Sequence, residues 1–382
     1  MLKTLLLIRS LNSGGAERQF VNLAKGLKSQ KVDLTVAVFY AAGPLQQELE
    51  EAGIKIVWLG KSGRWDILGP WLRYIKLVRS QRQAIVYSWM PLANIVAVLT
   101  KVFLPRNTRI IWGIRKSYLD LSCYDWLNTV SWRMEIRLSR FADLIIANSY
   151  AGREYAINAG FSGRAFKVIP NGIDTDKFFI NPVAGAKLRK EWQLRDDQLL
   201  IGLVGRLDPI KDHQVFLKVA AMVAEVREDV RFVCIGDGPE AYKKKLNQIA
   251  NELGLTSVVT WTGTRSDMPT VHNALDILVS CSHSEGFPNV IGEAMACGVP
   301  CVVTDVGDSA WIVGNTGLVI PPKNPELLKF ALLKMLDSIC MQEDFNLGNK
   351  CRERIIENFS IGTFVDTSLN IMNEINLRKG HE

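Results

Sequence analysis

The cysteines of this chain do not form the patterns that mark a disulfide framework or a zinc site. There are seven in 382 residues, an odd number, and no two stand in a C-x-x-C spacing. Disulfide-rich domains and structural zinc sites need paired or closely spaced cysteines. We therefore predict a protein that folds without cross-links in a reducing compartment, which we expect to be the cytoplasm.

Long apolar runs are also missing. The run TLLLI before Arg9 is too short for a signal peptide and predicts a buried strand. The longest mostly apolar run, residues 84–100, carries Pro91 and Asn94 at its middle and falls short of the roughly 20 residues of a membrane span. It divides into a strand and the start of a helix, so we expect no transmembrane segment.

Two common nucleotide-binding fingerprints are absent. LNSGGAERQF, residues 11–20, lacks the G-x-G-x-x-G pattern, and IGDGPE, residues 235–240, lacks the Walker lysine and serine. A dinucleotide-dependent oxidoreductase and a P-loop enzyme are therefore disfavoured. The adjacent Gly14 and Gly15 either expose backbone N–H groups to an anion or form an ordinary tight turn.

Short apolar runs rich in β-branched residues are abundant and fall into two series. The first series is TLLLIR, LTVAVFY, KIVWLG, AIVYSW, RIIWGI, DLIIANS and KVIPNG, and the second is LLIGLVGR, RFVCIGDG, VVTWTG, ILVSCS, PCVVTD and GLVIPP. Strands that are apolar on both faces and alternate with helices are typical of parallel sheets. We predict an α/β protein with two doubly wound domains, residues 1–172 and 173–360, and a terminal helix over 361–382.

The net charge of +7 is distributed unevenly. Residues 1–175 carry 24 lysines and arginines against 12 acids, whereas the remainder carries 22 against 27. A basic half indicates an anionic partner, such as nucleic acid or a membrane surface, unless the charges only solvate helix faces. Residues 63–82 mix Trp65, Trp71 and Tyr74 with basic residues. This segment suits a helix at an anionic membrane surface, or a helix that packs its aromatic face on the sheet.

Three stretches that follow strands of the second series indicate phosphate chemistry. In VGRLDPIKDH, Arg206 and Lys211 follow Gly205 and are spaced to converge on one diphosphate, although two surface cations on a loop are the alternative. We expect Gly236, after the next strand, to leave backbone beside a flat base. The third stretch is SHSEGFPNVIGEAMACGVP, residues 282–300.

In that third stretch, Pro288 predicts the first turn of a helix that starts near residues 287–289. The free N–H groups of such a turn suit phosphate oxygens. Glu285 precedes the helix and Glu293 lies in its second turn. A glycosidase pair would need a sugar ring between the two acids, whereas the neighbouring cations favour phosphate, so a hydrolase is disfavoured.

NGID (171–174), VGRLDPIKDH, IGDGPE, Glu285-x7-Glu293 and EAMACGVPCVVTDVGD occur in this order. Together they resemble the retaining GT-B glycosyltransferases of family 4, over essentially the whole chain and most strongly over residues 168–320. The resemblance implies two Rossmann-like domains facing a cleft, with a nucleotide-diphosphate sugar held mostly by the C-terminal domain. It also implies transfer of a hexose to a hydroxyl without a metal or other cofactor.

The resemblance implies a role for each matching residue. Arg206 and Lys211 would bind the donor diphosphate and stabilise the leaving group, Glu285 would contact the hexose, and Glu293 would hold the ribose. The remaining donor-side positions are Gly15, Gly205, Gly236 and the backbone of Phe287, Pro288, Asn289 and Val290. Gly14 would close over the reacting groups from the acceptor side.

The sequence departs from the family at one position. Many members carry a histidine near the sugar in the first domain, but the histidines here are His213, His272, His283 and His381. Arg115, within WGIRKS after a predicted strand, stands where such a group would lie. We expect it either to touch the donor phosphate or the acceptor, or to be a salt-bridged structural arginine.

The expected partners follow from these motifs and from the charge distribution. We expect a nucleotide sugar, a lipid-linked glycan acceptor of surface polysaccharide biosynthesis (O-antigen, capsule or exopolysaccharide), and an anionic membrane on the inner face of the cell. Nucleic acid would not explain the diphosphate motifs of the acidic half. Asp174 and Asp176 form a D-x-D far in sequence from those motifs, so we expect no metal. A UDP-sugar epimerase of this fold and a transferase with a soluble acceptor remain alternatives, as does a non-catalytic binding protein.

Overall fold

A computed structural model describes residues 2–12, 14–41, 43–63, 65–115, 126–162, 166–341 and 346–377. The chain divides into two compact units, which we call the first unit (Met1–Gly172 with Ile361–Glu382) and the second unit (Ile173–Ser360). No helix among the described residues is long and apolar enough to cross a membrane.

The first unit is built on seven parallel strands. They are β1 (Lys3–Ile8), β2 (Asp33–Val38), β3 (Lys55–Trp58), β4 (Ile85–Trp89), β5 (Arg109–Ile114), β6 (Leu144–Ala147) and β7 (Phe166–Val168). Their order in the sheet is β3-β2-β1-β4-β5-β6-β7. The helices are α1 (Gly15–Ser29), α2 (Gln46–Glu51), α3 (Leu68–Gln81), α4 (Pro91–Leu99), α5 (Trp126–Leu138), α6 (Tyr150–Asn158) and the C-terminal α15 (Ile361–Leu377).

The second unit repeats this plan with six parallel strands. They are β8 (Leu199–Val204), β9 (Val230–Ile235), β10 (Val259–Gly263), β11 (Ile277–Ser280), β12 (Cys301–Thr304) and β13 (Leu318–Ile320). Their order is β10-β9-β8-β11-β12-β13. The helices are α7 (Pro182–Glu191), α8 (His213–Ala224), α9 (Glu240–Glu252), α10 (Met268–Ala274), α11 (Asn289–Ala296), α12 (Ser309–Val313), α13 (Pro325–Cys340) and α14 (Leu347–Phe359).

The apolar runs form strands because both of their faces are covered. In β1, Leu5 and Leu7 enter one core of the first unit while Leu6 and Ile8 enter the core on the opposite face. Successive side chains of a strand point to opposite faces, so a continuous apolar run fits a sheet with helices on both sides. The prediction of two doubly wound parallel sheets is confirmed.

The terminal helix α15 belongs to the first unit. Its apolar side chains join the core beneath α1. Gly26 of α1 lies against Val365, and a Cβ at Gly26 would overlap that side chain. Glycine at this position therefore allows the close packing of the two helices.

Each sheet reverses its strand order once, between β1 and β4 in the first unit and between β8 and β11 in the second. Ligands of open parallel sheets bind beyond the carboxyl ends of the strands at such a switch point. The loops after β8 and β11 contain VGRLDPIKDH and the stretch with Glu285, so the fold brings these two motifs to one edge of the second sheet.

Candidate functional site

Two aspartates turn the chain directly after β8 and fix Lys211 at the end of that strand. Asp208 accepts the N–H of Ile210 and opens a 3₁₀ turn over Pro209–Lys211. Asp212 adopts a left-handed φ of 52° and caps α8 by accepting the N–H of Val215. Aspartate suits both places because its short side chain bonds nearby backbone N–H groups and tolerates this φ.

Lys211 lies against Glu285, a contact that the sequence did not predict. Its Nζ is 2.5 Å from Glu285 Oε1, and Ser282 Oγ donates to the same oxygen at 2.6 Å. The side chains of Lys211 and Glu285 are only 23% and 12% exposed. An ammonium carries three N–H donors. Among the described residues one of these is used, so two remain for an anion.

The Glu285 loop is held by two residues of EAMACGVPCVVTDVGD to which the sequence alone assigns no individual role. Thr304 Oγ1 donates to the Ser282 carbonyl at 2.8 Å. Gly307 has a φ of 58°, and a Cβ there would collide with the Glu285 carbonyl. These contacts give EAMACGVPCVVTDVGD a structural purpose, because its end supports the loop that positions Glu285.

Arg206 is placed differently from Lys211. Its side chain is 82% exposed, and its guanidinium is 3.3 Å from the carboxylate of Asp208. Within the described part of the chain, no contact joins it to Lys211 or Glu285. An exposed ion pair of this kind contributes little, so the side chain remains available to a bound anion.

The helix after the Glu285 loop is α11. The sequence predicts that Pro288 lies in its first turn, but Pro288 is the N-cap residue just before the helix. The side chain of Phe287 is buried, with its ring centroid 5.6 Å from that of Phe359. Phe287 could therefore contact a ligand only through its backbone. Asn289 and Val290 begin the helix. Glu293, in the second turn, is 27% exposed and lies 3.7 Å from the buried His272.

The ends of β8 and β9 meet through glycines. Gly236 has a φ of 142°, and a Cβ there would overlap the carbonyl oxygen of Gly205. Beside this contact is a cavity of about 250 Å³, lined by Leu207, Gly236, Lys243, Asn247, Trp261 and Gly263. The glycine pair therefore places backbone next to a cavity. The expectation that a flat base lies beside Gly236 stays a prediction.

In the first unit, Gly14 is the N-cap of α1 and Gly15 its first residue. Gly14 has extended backbone with a φ of −135°, so its conformation does not itself require glycine. One turn into the helix, the buried Gln19 makes two hydrogen bonds with the backbone of Gly172, at 2.8 and 2.9 Å. The first-loop motif is thus tied to NGID within this unit.

Arg115 follows β5 and has no carboxylate partner among the described residues. Its guanidinium lies 3.4 Å from the centre of the Trp89 ring and donates to Asn171 at 3.1 Å and, weakly, to the Tyr87 hydroxyl at 3.5 Å. Its Nε is buried without a hydrogen-bond partner. Burial lowers the pKa of Arg115 to about 10. Among the described residues Arg115 therefore forms no salt bridge and is held by Trp89 and Asn171.

The D-x-D motif lies in a turn. Asp174 accepts the N–H of Lys177 at 2.9 Å. The described residues contain no group of three or more histidine, cysteine or acidic side chains that could hold a metal ion.

Comparisons with known proteins match both units. Residues 13–177 match the family described as Glycosyltransferase Family 4, and residues 198–338 match Glycosyl transferases group 1. This chain is a GT-B glycosyltransferase of the Family 4 and group 1 type. The glycosyltransferase is 26% identical to the "Putative glycosyltransferase EpsF" of Bacillus subtilis over 79% of each chain.

A second relative is the "UDP-Gal:alpha-D-GlcNAc-diphosphoundecaprenol alpha-1,3-galactosyltransferase" of Escherichia coli, 30% identical over 52% of the glycosyltransferase and 51% of that protein. The glycosyltransferase thus spans only about half the length of this relative. Among solved structures, Anabaena Alr3699/HepE in complex with UDP superimposes with a TM-score of 0.84 at 23% identity, over 98% of this chain and 100% of that one. This likeness establishes the shared fold.

Proposed function

We propose that the enzyme is a retaining hexosyltransferase that takes a hexose from a UDP-sugar and passes it to a hydroxyl of a lipid-linked glycan in surface polysaccharide biosynthesis. The observation that carries the proposal is Lys211, held by Glu285 at the switch point of the second sheet with two N–H donors unused by the described residues. The UDP named in the Anabaena structure and in the Escherichia coli relative supports uracil as the base of the donor nucleotide.

The chemistry follows from the charge that develops on the leaving diphosphate. The bond from the anomeric carbon to the diphosphate oxygen breaks, and the acceptor oxygen forms its bond on the same face of the sugar. The proton of the acceptor hydroxyl passes to the departing diphosphate oxygen. Lys211 and the first-turn N–H groups of α11 stabilise the departing charge, and Arg206 can turn to it from solvent. Glu285 contacts the hexose and Glu293 holds the ribose. These groups perform the task of a metal, so we expect activity to persist in EDTA, whereas an absolute Mg²⁺ or Mn²⁺ requirement would overturn this part.

A phosphate-bearing acceptor fits the first unit. Arg115 is a guanidinium stacked on Trp89 without an acid to neutralise it among the described residues. A planar guanidinium matches phosphate oxygens two at a time. The name of the Escherichia coli relative contains a diphosphate-linked acceptor, which supports the same class here. Gly14 and Gly15 are proposed to close over the reacting groups.

A membrane-facing surface in the first unit would bring such an acceptor to the enzyme. Of the three aromatic residues of segment 63–82, Tyr74 is buried in the core and Trp71 packs partly against it, while Trp65 is 72% exposed. Other large apolar side chains exposed in the same part of the first unit are Ile67, Leu68, Leu72, Val102 and Phe103. Trp71 and Phe103 are in edge-on contact, so α3 and the turn after α4 form one apolar surface.

Transfer itself is the direct test of this function. The enzyme is incubated with UDP-hexoses and a polyprenyl-diphosphate-linked sugar, and UDP release and the anomeric configuration of the product are measured by NMR. We expect acceptor-dependent UDP release and an α-linked product from an α-configured donor. Inversion at the anomeric carbon would refute the retaining mechanism, and release of 2-epimerised sugar without an acceptor would favour the epimerase.

Vesicle co-sedimentation tests the membrane surface. We expect salt-sensitive binding to anionic vesicles that weakens in the Trp65→Ser and Leu72→Ser variants. Val183→Ser, which changes an apolar residue of the second unit that is at least as exposed (79%), is the matched control and should bind as the parent does. Absence of binding to anionic vesicles at low salt would refute the surface.

A further inference from the structure

His272 is a fully buried polar side chain with no use in the scheme above. It lies in the last turn of α10 with 0% exposure. Neither ring nitrogen has a hydrogen-bond partner among the described residues. Leaving a buried donor or acceptor unpaired costs about 1–3 kcal/mol, and such groups in a native fold call for an explanation.

The imidazole ring of His272 is surrounded by apolar side chains and approached by one carboxylate. Its neighbours in α10, Val271 and Ala274, belong to the apolar core, and the Phe178 ring meets it edge-on with centroids 5.9 Å apart. The polar group that approaches it is Glu293, whose Oε2 lies 3.7 Å from Nε2. This distance is just beyond a hydrogen bond, and a small rotation of the glutamate closes it.

Glu293 itself needs a fixed orientation to act on a ribose. Its carboxylate has no hydrogen bond to any described residue and is 27% exposed. A free carboxylate with rotatable bonds loses entropy when it must bridge two hydroxyls in one geometry. A donor fixed behind it in a low-dielectric interior would remove part of that loss and polarise the bond.

We propose that His272 is a positioning residue for the ribose subsite. Its Nε2–H donates to one oxygen of Glu293 when a nucleotide binds, and the carboxylate then accepts the ribose 2′ and 3′ hydroxyls in a single orientation. The inference rests on the proposed function, in which Glu293 holds the ribose, and adds a second residue to that subsite. His272 does not touch the nucleotide.

The test compares UDP with 2′,3′-dideoxy-UDP by calorimetry in the parent protein and in variants. The parent should bind UDP at least about tenfold more tightly, which is the effect of a charge-assisted hydrogen bond. In His272→Phe this preference should fall to within about threefold, as in Glu293→Gln. His272→Gln, which can still donate an N–H, should restore part of it. Combining His272→Phe with Glu293→Gln should cause no further loss.

A purely structural role of His272 and a failure of the donor site would give different results. If His272→Phe weakens both nucleotides by the same factor, the residue only packs the core and the inference is wrong. His272→Leu provides a smaller apolar replacement if phenylalanine does not fit, and the preference it shows is judged by the same criterion. If the parent binds no UDP, the donor site fails and the inference fails with it. Thermal unfolding of each variant verifies the fold.

Discussion

Replacement of Lys211 by alanine removes the cation at the centre of the proposed donor site. Its Nζ donates a hydrogen bond to Glu285, and the described residues leave its other two N–H donors to the diphosphate. A charge-assisted hydrogen bond contributes about 1.5–3 kcal/mol, so UDP should bind about 10- to 150-fold more weakly. Charge on the leaving group grows in the transition state, and loss of one such donor costs about 10²–10³ in rate. We therefore expect kcat for sugar transfer to fall by about 10²–10³ in Lys211→Ala.

The assay measures UDP release from the donor under saturating acceptor, beside UDP affinity by calorimetry. Lys218→Ala is the matched control, because Lys218 is an exposed lysine on α8, the helix that follows the turn containing Lys211. It should leave both quantities within about twofold of the parent, since an exposed charge contributes little. If Lys211→Ala keeps a rate within threefold of the parent, Lys211 does not contact the diphosphate and the site is assigned wrongly.

Three further predictions concern other residues. Burial lowers the pKa of His213 to about 4 from its ordinary 6.5. Between these two pH values the unfolded chain binds a proton that the folded chain does not. The free energy of unfolding should therefore fall by about 3 kcal/mol as the pH drops from 6.5 to 4. Urea unfolding across this range should show a flatter pH slope in His213→Gln, and an unchanged slope would contradict the assignment. An alanine Cβ at residue 236 would meet the Gly205 carbonyl, so Gly236→Ala should destabilise the second unit by more than Gly254→Ala. Gly254 also has a positive φ, 69° against 142° at Gly236, but no atom lies within 4 Å of an added Cβ there. Equal losses would argue against the overlap. Arg115→Lys should reduce kcat/KM at least about tenfold, because lysine cannot replace a stacked, forked donor, whereas a near-normal value would remove Arg115 from the site.

The fold could be predicted because parallel strands that are covered on both faces have continuous apolar sequences. Each of the thirteen runs overlaps a strand, and strand ends followed by glycine-rich motifs located the loops after β8, β9 and β11. Helix boundaries were less accessible. Pro288 lies just before α11 because its ψ of 96° is not helical. This angle cannot be read from the local sequence pattern.

The supporting contacts of the site could not be predicted from spacing alone. Ser282 lies three residues before Glu285, yet its hydrogen bond to that carboxylate depends on the conformation of the loop. His272 and Glu293 are brought together by the packing of α10 and α11, which residue identities do not determine. The same holds for Arg115 and Trp89, which come from neighbouring strands of the first sheet.

The most direct test of the account is a thermal-shift screen of UDP-, GDP- and ADP-hexoses together with the free nucleoside diphosphates. The account predicts that UDP and one UDP-hexose raise the melting temperature of the parent, and that the shift disappears in Lys211→Ala but persists in Lys218→Ala. A shift with GDP or ADP instead would change the base and leave the site intact. No shift with any of these compounds would contradict the central claim that the second unit holds a nucleotide-diphosphate sugar.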